Sequence, residues 1–500
     1  MGRMVLTNAL ALLGPTAERS PTPVDIVIEG RHIAAIRPAG TEPPDGDTVD
    51  CRNRLVTPGL INGHQHSHEY YYKGRTDNLP LELWMNHVRP LKPIPLTSRQ
   101  VYLRSMAAAI ESIRSGTTTL CDDMNVSPVL QLDHVDAAFR AYEDSGLRCL
   151  VGITLFDRPF FRAVPFVEEE FPPELLREYD GAGHTPPAEM LAFAEELARR
   201  RHPRDHRVGF MATPSAPQRC TPDFLLAVRD MASRHDLPLM IHAQETRLQV
   251  VTGQLWHGKT MIEYLDELGF LAAKTQLIHA VWLTPREIDI LARTGTSVQH
   301  NPTSNLKLGS GIAPLRALLD AGVNVSLGSD GCGSIETLNM QLVLMAAALV
   351  QKLRGEHTSW TGAREAFAAG TMGGARALGL GAELGAIEVG RIADLVTYRL
   401  DRVPFVPLND PLRQLVYAET GSGVDTVIVD GEIIFADGRF TRIDEAAILA
   451  ELAEEHARLE PFLAASERDT ARILPAYERI HRRCLGHPIA ADTYRARLDD

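Results

Sequence analysis

Histidines two residues apart are the first sign of chemistry in this chain. His64 and His66 stand in PGLINGHQHSHEY, after the apolar run LVTPGLIN. On a strand, residues i and i+2 point to the same side, so the two imidazoles would share one face and could ligate one metal ion. A solvent-facing pair is the ordinary alternative. His68 continues the alternation, and spacing alone leaves open which two of the three would bind. Three more polar residues close apolar runs: His242 in LMIHAQET, with Glu245 just beyond, His279 in LIHAVWL and Asp330 in LGSD. A polar group there is costly unless it is paired or bound to a metal. One buried histidine is more often a hydrogen-bonded core residue. Four strand ends with donors of this kind are hard to arrange by packing alone.

The elements that would position these residues follow one repeated pattern. Short apolar runs end in a polar residue, and a longer helical segment follows each. The runs lie at 55–64, 117–123, 148–157, 207–214, 237–245, 275–283, 296–302 and 324–330. Helix-period stretches such as VYLRSMAAAIESIRSG, PPAEMLAFAEELARRRH and PREIDILARTG stand between them. Alternating strands and helices predict parallel pairing with right-handed crossovers. Eight units fit an α/β fold of the (β/α)₈ TIM-like barrel type, whose usual size is about 250 residues and whose catalytic groups sit at strand ends. A doubly wound open sheet is the rival, but no G-x-G-x-x-G follows an early strand.

The barrel is expected over 58–383. The chain ends differ from it: 24–37 (VDIVIEGRHIAAIR) and 424–440 (VDTVIVDGEIIFADGRF) each read as strand, glycine turn, strand. Neither hairpin is stable alone. They are expected to pair into a small β-sandwich domain built from 1–57 and 384–443. Residues 444–500 form a helical C-terminal extension that Pro461, Pro475 and Pro488 divide into pieces. It either caps the barrel or reaches another subunit, so a homo-oligomer is one of the open readings.

Composition narrows the function classes. Hydrophobic residues make 44% and charged residues 23% of 500, which excludes a mainly disordered chain. Acidic residues outnumber Lys plus Arg by 64 to 51, and the net charge is −13. No basic stripe suits nucleic acid, and Arg199, Arg200 and Arg201 read as a solvated helix face. The six cysteines are scattered without CxxC, as expected of free thiols in a reducing cytosol. No secretory signal or membrane-length apolar run is recognisable, so a cytoplasmic enzyme acting on a small molecule is expected.

The strings PGLINGHQH, IHAQE, IHAVWL, HNPTSNLKLGSGIAPL, VSLGSDG and LGAIEVGRIADLV together resemble the amidohydrolase superfamily. The branch is the one holding S-adenosylhomocysteine, cytosine and guanine deaminases and the triazine hydrolases. The resemblance spans roughly 1–440 and makes His64, His66, His242 and Asp330 the metal ligands, with Glu245 and His279 as the proton-transfer pair. It implies a metal-activated water attacking an sp² carbon. Asp330 accepts the water proton, Glu245 protonates the neighbouring ring nitrogen, and His279 stabilises the oxyanion. Binuclear members bridge their metals with a carboxylated lysine on the fourth strand. RVGFMATPSAPQ has none, which implies one divalent ion per chain, zinc by donor preference, with iron also suited to the donors.

The resemblance also touches the pocket. His300, Asn305 and Lys307 lie in a loop that borders it in the family, where His300 is a candidate substrate contact and a turn residue by its other reading. Trp84 matches a tryptophan near the mouth, with core packing the alternative. Asp122 and Asp123 read as structural. Two departures bear on substrate. Lys92 stands about where adenosine-type deaminases carry a ribose-binding glutamate, and Ser215 replaces the histidine of their P-H-A-P motif. A cation cannot accept hydroxyl protons. The expectation is therefore deamination of an N-heterocycle that is not a nucleoside, with an anionic group that Lys92 or Lys73 could meet. The alternatives are hydrolysis of an exocyclic amide, urea or substituted amine, and an inactive scaffold, which would lack ligands.

Overall fold

The computed structural model describes residues 2–15, 21–41, 43, 46–89, 92, 94–125, 130–180, 183–494, 496 and 497. The N-terminal part supplies β1 (Arg3–Ala11), β2 (Thr22–Glu29), β3 (His32–Pro38), β4 (Asp47–Asp50) and β5 (Arg54–Pro58). The middle supplies β6 (Leu60–His66), β7 (Thr117–Met124), β8 (Arg148–Leu155), β9 (Val208–Phe210), β10 (Thr213–Pro214), β11 (Leu239–Ala243), β12 (Thr275–His279), β13 (Ser297–His300), β14 (Val325–Leu327) and β15 (Asp330–Gly331). β16 (Leu395–Arg399), β17 (Val424–Val429), β18 (Glu432–Ala436) and β19 (Arg439–Phe440) follow.

The middle strands form two parallel sheets, ordered β10-β8-β7-β6-β15, with β9 also on β8, and β11-β12-β13-β14. An isolated parallel bridge between Ala212 and Leu239 links them on one side. On the other, the chain passes directly from β14 through Gly328 and Ser329 into β15, which pairs with β6. Helices Ser98–Arg114, Pro187–Arg200 and Pro285–Thr294 fall where the apolar periodicity puts them. Thr97 with Gln100, and Thr284 with Glu287, start two of these as capping boxes. Gly295 at φ +70° ends the third.

The run 55–64 is two strands in two different sheets. They part at Gly59, whose N–H donates to the Asp394 carbonyl at 2.9 Å. A Cβ at Gly59 would lie 2.0 Å from Thr118 Oγ1, so only glycine lets the two segments approach so closely.

Both chain ends share one nine-stranded sheet, ordered β19-β18-β17-β16-β5-β1-β2-β3 with β4 on β1. It is a single hydrogen-bonded path rather than two separately bonded sheets. The hairpins β2–β3 and β17–β18 lie toward its opposite ends, and antiparallel β16 on β5 is what joins the two halves of the chain. Arg148 on β8 reaches Asp394 and Asp430 at 3.0 Å each, a buried ion cluster that ties this sheet to the parallel strands.

Pro461 does not divide the tail. It sits inside the continuous helix Glu445–Ala471, where neighbouring Leu459 and Leu463 bury against Tyr71 and hold the helix through the missing N–H. The helix Leu474–Gly486 packs Ile473, Tyr477 and Ile480 onto Leu83, Leu248 and Val251 of the chain's own middle region. All six cysteines are buried and unpaired. Among the described residues no helix is long and apolar enough to cross a membrane.

Candidate metal and catalytic site

Hydrogen bonds set the tautomers of two histidines. His66 Nδ1 lies 2.7 Å from the Asp123 carbonyl oxygen, and His242 Nδ1 lies 2.9 Å from the Ser215 carbonyl oxygen. A carbonyl only accepts, so each Nδ1 carries the proton and each Nε2 lone pair is free. His64 Nδ1 faces the Met240 sulfur at 3.2 Å, and its Nε2 is buried with no hydrogen-bond partner. One ligand atom from each of His64, His66 and His242 lies within 4.8 Å of the others.

The carboxylate completes the group. Asp330 Oδ1 stands 3.4 Å from the Nε2 atoms of both His64 and His66. Its Oδ2 accepts from Ser304 Oγ and from Ser334 Oγ, the latter at 3.1 Å, which leaves Oδ1 turned inward. Burial raises the Asp330 pKa, but the neighbouring histidines, His64 foremost, outweigh it and hold the carboxyl well below its usual range. Burial, then the proximity of His64, pushes His66 down to about 4. Near pH 7 His66 is therefore neutral and Asp330 ionised, so acceptor atoms face one another at 3.4 Å, and a cation would complement them. Three imidazoles and one carboxylate fit a divalent ion.

Beside this group lie Glu245 and His279, with His279 Nε2 3.5 Å from Glu245 Oε2. Burial first, then the charges of Asp330 and Glu82, raise the Glu245 carboxyl well above its usual range and favour its protonated form. His279 Nδ1 contacts Asn305 Oδ1 at 2.9 Å, and burial drives the His279 pKa down to about 4. His279 at φ +73° and Asp330 at φ +63° are non-glycine residues in left-handed backbone. Such strain costs about 1–3 kcal/mol each and persists only where the surroundings enforce it. His66, His242, His279, Glu245, Asp330 and Trp84 all line one cavity of about 710 Å³.

Of the three alternating histidines, the structure groups His64 and His66 with His242. β6 ends at His66 and the chain turns into the 3-10 helix Ser67–Tyr72, which takes His68 off the strand. His68 Nδ1 accepts from Asn125 N at 3.2 Å. Trp84 and Ser215 are on the cavity wall, and Trp84 Nε1 donates to the Gly333 carbonyl at 3.0 Å. Lys92 is not brought there: its side chain is 71% exposed and pairs with Asp469 of the tail at 3.3 Å. Lys73 is likewise engaged by Glu111. His300 is buried near enough to His279 to feel its charge, yet it is absent from the cavity lining. Asp122 accepts from Ser67 N and the Tyr142 hydroxyl, and Asp123 from Thr154 Oγ1.

Sequence reasoning missed Glu69, Arg89 and Arg219, which also line the cavity. Glu69 follows the histidine strand within HQHSHE and could have been suspected from that position. Arg219, set between Ala216 and Cys220, offers only the weak signal of a charge among residues that tend to be buried.

A 5′-deoxyadenosine deaminase of Methanothermobacter thermautotrophicus is 36% identical over 434 residues, which is 86% of this chain and 93% of the relative. A 5-methylthioadenosine/S-adenosylhomocysteine deaminase of Thermococcus kodakarensis is 36% identical over 413 residues, 82% of this chain and 89% of the relative. The crystal structure of an adenosine deaminase from Xanthomonas campestris with bound zinc superposes with a TM-score of 0.81 at 28% identity, covering 92% of this chain and 98% of that one. These names correct the expectation of a non-nucleoside substrate, since the relatives are nucleoside deaminases. The physical reason is plain for Lys92, whose ion pair on the surface says nothing about the cavity. The amidohydrolase family model matches residues 55–434, the span that holds the four candidate metal ligands together with Glu245 and His279, and the chain belongs to that family.

Proposed function

We propose that this chain is a metal-dependent aminohydrolase that removes the exocyclic amino group of an adenosine-type nucleoside. The observation that carries the reading is the convergence of His64, His66, His242 and Asp330 beside the buried Glu245–His279 pair. The relatives' names supply the substrate class. His64, His66, His242 and Asp330 would hold a divalent ion, which would supply a water made nucleophilic near neutral pH. Asp330 Oδ1 is free to take that water's proton, because Ser304 and Ser334 hold Oδ2. Glu245, kept protonated by burial, donates to the ring nitrogen next to the attacked carbon. His279, held by Asn305, steadies the oxygen on which charge develops. Ammonia leaves when the proton passes to the amino group.

We read the two parallel sheets as one closed (β/α)₈ barrel over 58–383. Ile61, Cys121, Leu150, Met211, Met240 and Ile278 pack in one cluster, drawn from successive positions around the strands, as side chains inside a ring would. The nine-stranded sheet is read as a composite domain of 1–57 and 384–443, with 444–500 as a helical extension. One zinc ion per chain is proposed, since no lysine lies on β9 or β10 to bridge a second.

The test is ammonia release from 5′-deoxyadenosine by zinc-loaded protein, with elemental analysis. One equivalent of metal, loss of activity on chelation and recovery on adding zinc are expected. A zinc-loaded, folded preparation that releases no ammonia from adenosine-type nucleosides would overturn the reading, and release of a substituted amine would move the activity to an exocyclic substituent.

A further inference from the structure

Two guanidinium groups enter the cavity without a carboxylate to meet them. Arg219, on the 3-10 turn Pro217–Arg219, is 4% exposed. Its Nη1 donates to Ser215 Oγ at 3.1 Å, and its plane lies over Phe156, 4.1 Å from the ring centre. Its Nε is buried with no hydrogen-bond partner. Arg89 follows the helix Leu81–Val88 and lines the same cavity, and its Nη1 is buried and unpartnered too. Neither makes an ion pair among the described residues. Arg148, buried to a similar degree, shows the usual remedy, with Asp394 and Asp430 both at 3.0 Å.

The acids of the cavity are committed elsewhere. Glu69 accepts from Gly333 N at 3.1 Å, and Glu245 from Ser310 Oγ at 3.2 Å. Glu82 is held by Thr246 and by His481, at 3.2 Å from the latter. Asp330 faces the histidines. Burial and then the like charge of Arg89 lower the Arg219 pKa to about 9, so both groups remain cationic at neutral pH and repel one another. A buried cation without a partner is costly, and an anion shared by two guanidinium groups relieves desolvation and repulsion together.

We propose that Arg89 and Arg219 form a subsite for an oxyanion, a carboxylate or phosphate, borne by the substrate. The identity of that substrate as a nucleoside rests on the function proposed above; the subsite itself does not. Ser215 joins the subsite to the metal group, since its hydroxyl accepts from Arg219 while its carbonyl accepts from His242.

Two measurements separate the claims. The first is titration calorimetry of zinc-loaded wild type, R219Q and R89Q with benzoate, methyl phosphate and neutral benzamide. Wild type is expected to bind at least one oxyanion at one per chain and to ignore benzamide. Each variant should bind that oxyanion about tenfold more weakly, the loss of one charge-assisted contact. Binding that is absent, or equal in wild type and both variants, overturns the subsite; equal binding would place the anion on the metal. R89Q and R219K serve if R219Q does not fold, because the lysine keeps the charge and loses the planar fork.

The second measurement compares KM for adenosine 5′-carboxylate, adenosine 5′-phosphate and neutral 5′-deoxyadenosine. R219Q should raise KM for one of the two anionic compounds about tenfold more than for the neutral one, and which compound responds tells carboxylate from phosphate. An equal effect on all three overturns the proposal. Oxyanion binding without ammonia release from any nucleoside would sink the deaminase reading and leave the subsite standing.

Discussion

Gly63 lies between Asn62 and His64 on β6, and replacing it with alanine should disable the metal group without touching a ligand. A Cβ there would lie 2.1 Å from Gln299 Oε1, 2.9 Å from Gln299 Cδ and 2.4 Å from Ser326 Oγ. Gln299 on β13 and Ser326 on β14 are both fully buried, so neither can swing into solvent. Against the 3.0 Å that real Cβ contacts respect, the shortfall at Gln299 is about 0.9 Å. Overpacking of this kind costs about 1–3 kcal/mol. If β6 retreats by that amount His64 moves with it, and a misplacement of about 1 Å costs roughly 10²-fold in rate. G63A should melt lower than wild type, retain less zinc and release ammonia about a hundredfold more slowly, as read by thermal melts, elemental analysis and an ammonia assay. Q299A in the G63A background should recover part of the loss, because Gln299 Oε1 has no partner and its Nε2 forfeits only a long hydrogen bond, 3.4 Å, to Asn301 Oδ1. Full zinc content with wild-type kcat in G63A would refute the reasoning.

Replacing Glu245 with Gln keeps the shape and removes the acid, so kcat should fall about 10²–10⁴-fold with zinc content unchanged; a loss under fivefold would remove Glu245 from proton transfer. Because the Glu245 carboxyl is raised, wild-type activity should decline on the alkaline side as it ionises, a limb that E245Q lacks in a kcat against pH profile. His66 and His279 are lowered to about 4 in the fold from 6.5. The unfolded chain therefore binds more protons between those values, and metal-free protein should lose stability as pH falls from 6.5 toward 4, with little change from these groups above 6.5; melting temperatures against pH check the sign. H481A leaves an oxygen of the buried Glu82 without its partner at 3.2 Å, which should destabilise by about 1–3 kcal/mol in a denaturant melt.

The metal group was legible because strand chemistry leaves a mark of its own. A histidine alternation at period two, and polar residues ending apolar runs, marked His64, His66, His68, His242, His279 and Asp330 as candidates before any coordinates, and the family resemblance narrowed them to four expected ligands. The same rule could not exclude His68, since alternation does not say where a strand stops; the turn into Ser67–Tyr72 does. Splits at Gly59 and at Gly328–Ser329 were hidden because each run stays apolar or glycine-rich across the break. Lys92 was placed by its spacing from Trp84, but the path of the chain after Val88 decides where that side chain goes, and it goes to Asp469. Arg89 left no signal and Arg219 only a weak one, because a single buried charge has no period. Only packing shows that Phe156 lies against Arg219 and that neither arginine has an ion pair among the described residues.

The tail gives this division a functional meaning. The family match ends at residue 434, before the helices Glu445–Ala471 and Leu474–Gly486 begin. Yet Tyr477 stacks on Phe160 with 6.1 Å between ring centres, Phe160 lines the cavity, and the Arg219 guanidinium lies 5.8 Å from the same ring. His481, from the same helix, fixes Glu82 on that wall. The candidate metal ligands thus come from strand ends inside the family span, where the surroundings keep His279 and Asp330 in left-handed backbone. Part of the wall that meets the rest of the substrate is braced by a segment outside that span. The tail thus braces the side of the cavity where Arg219 stands, while the candidate metal ligands are carried by strand ends.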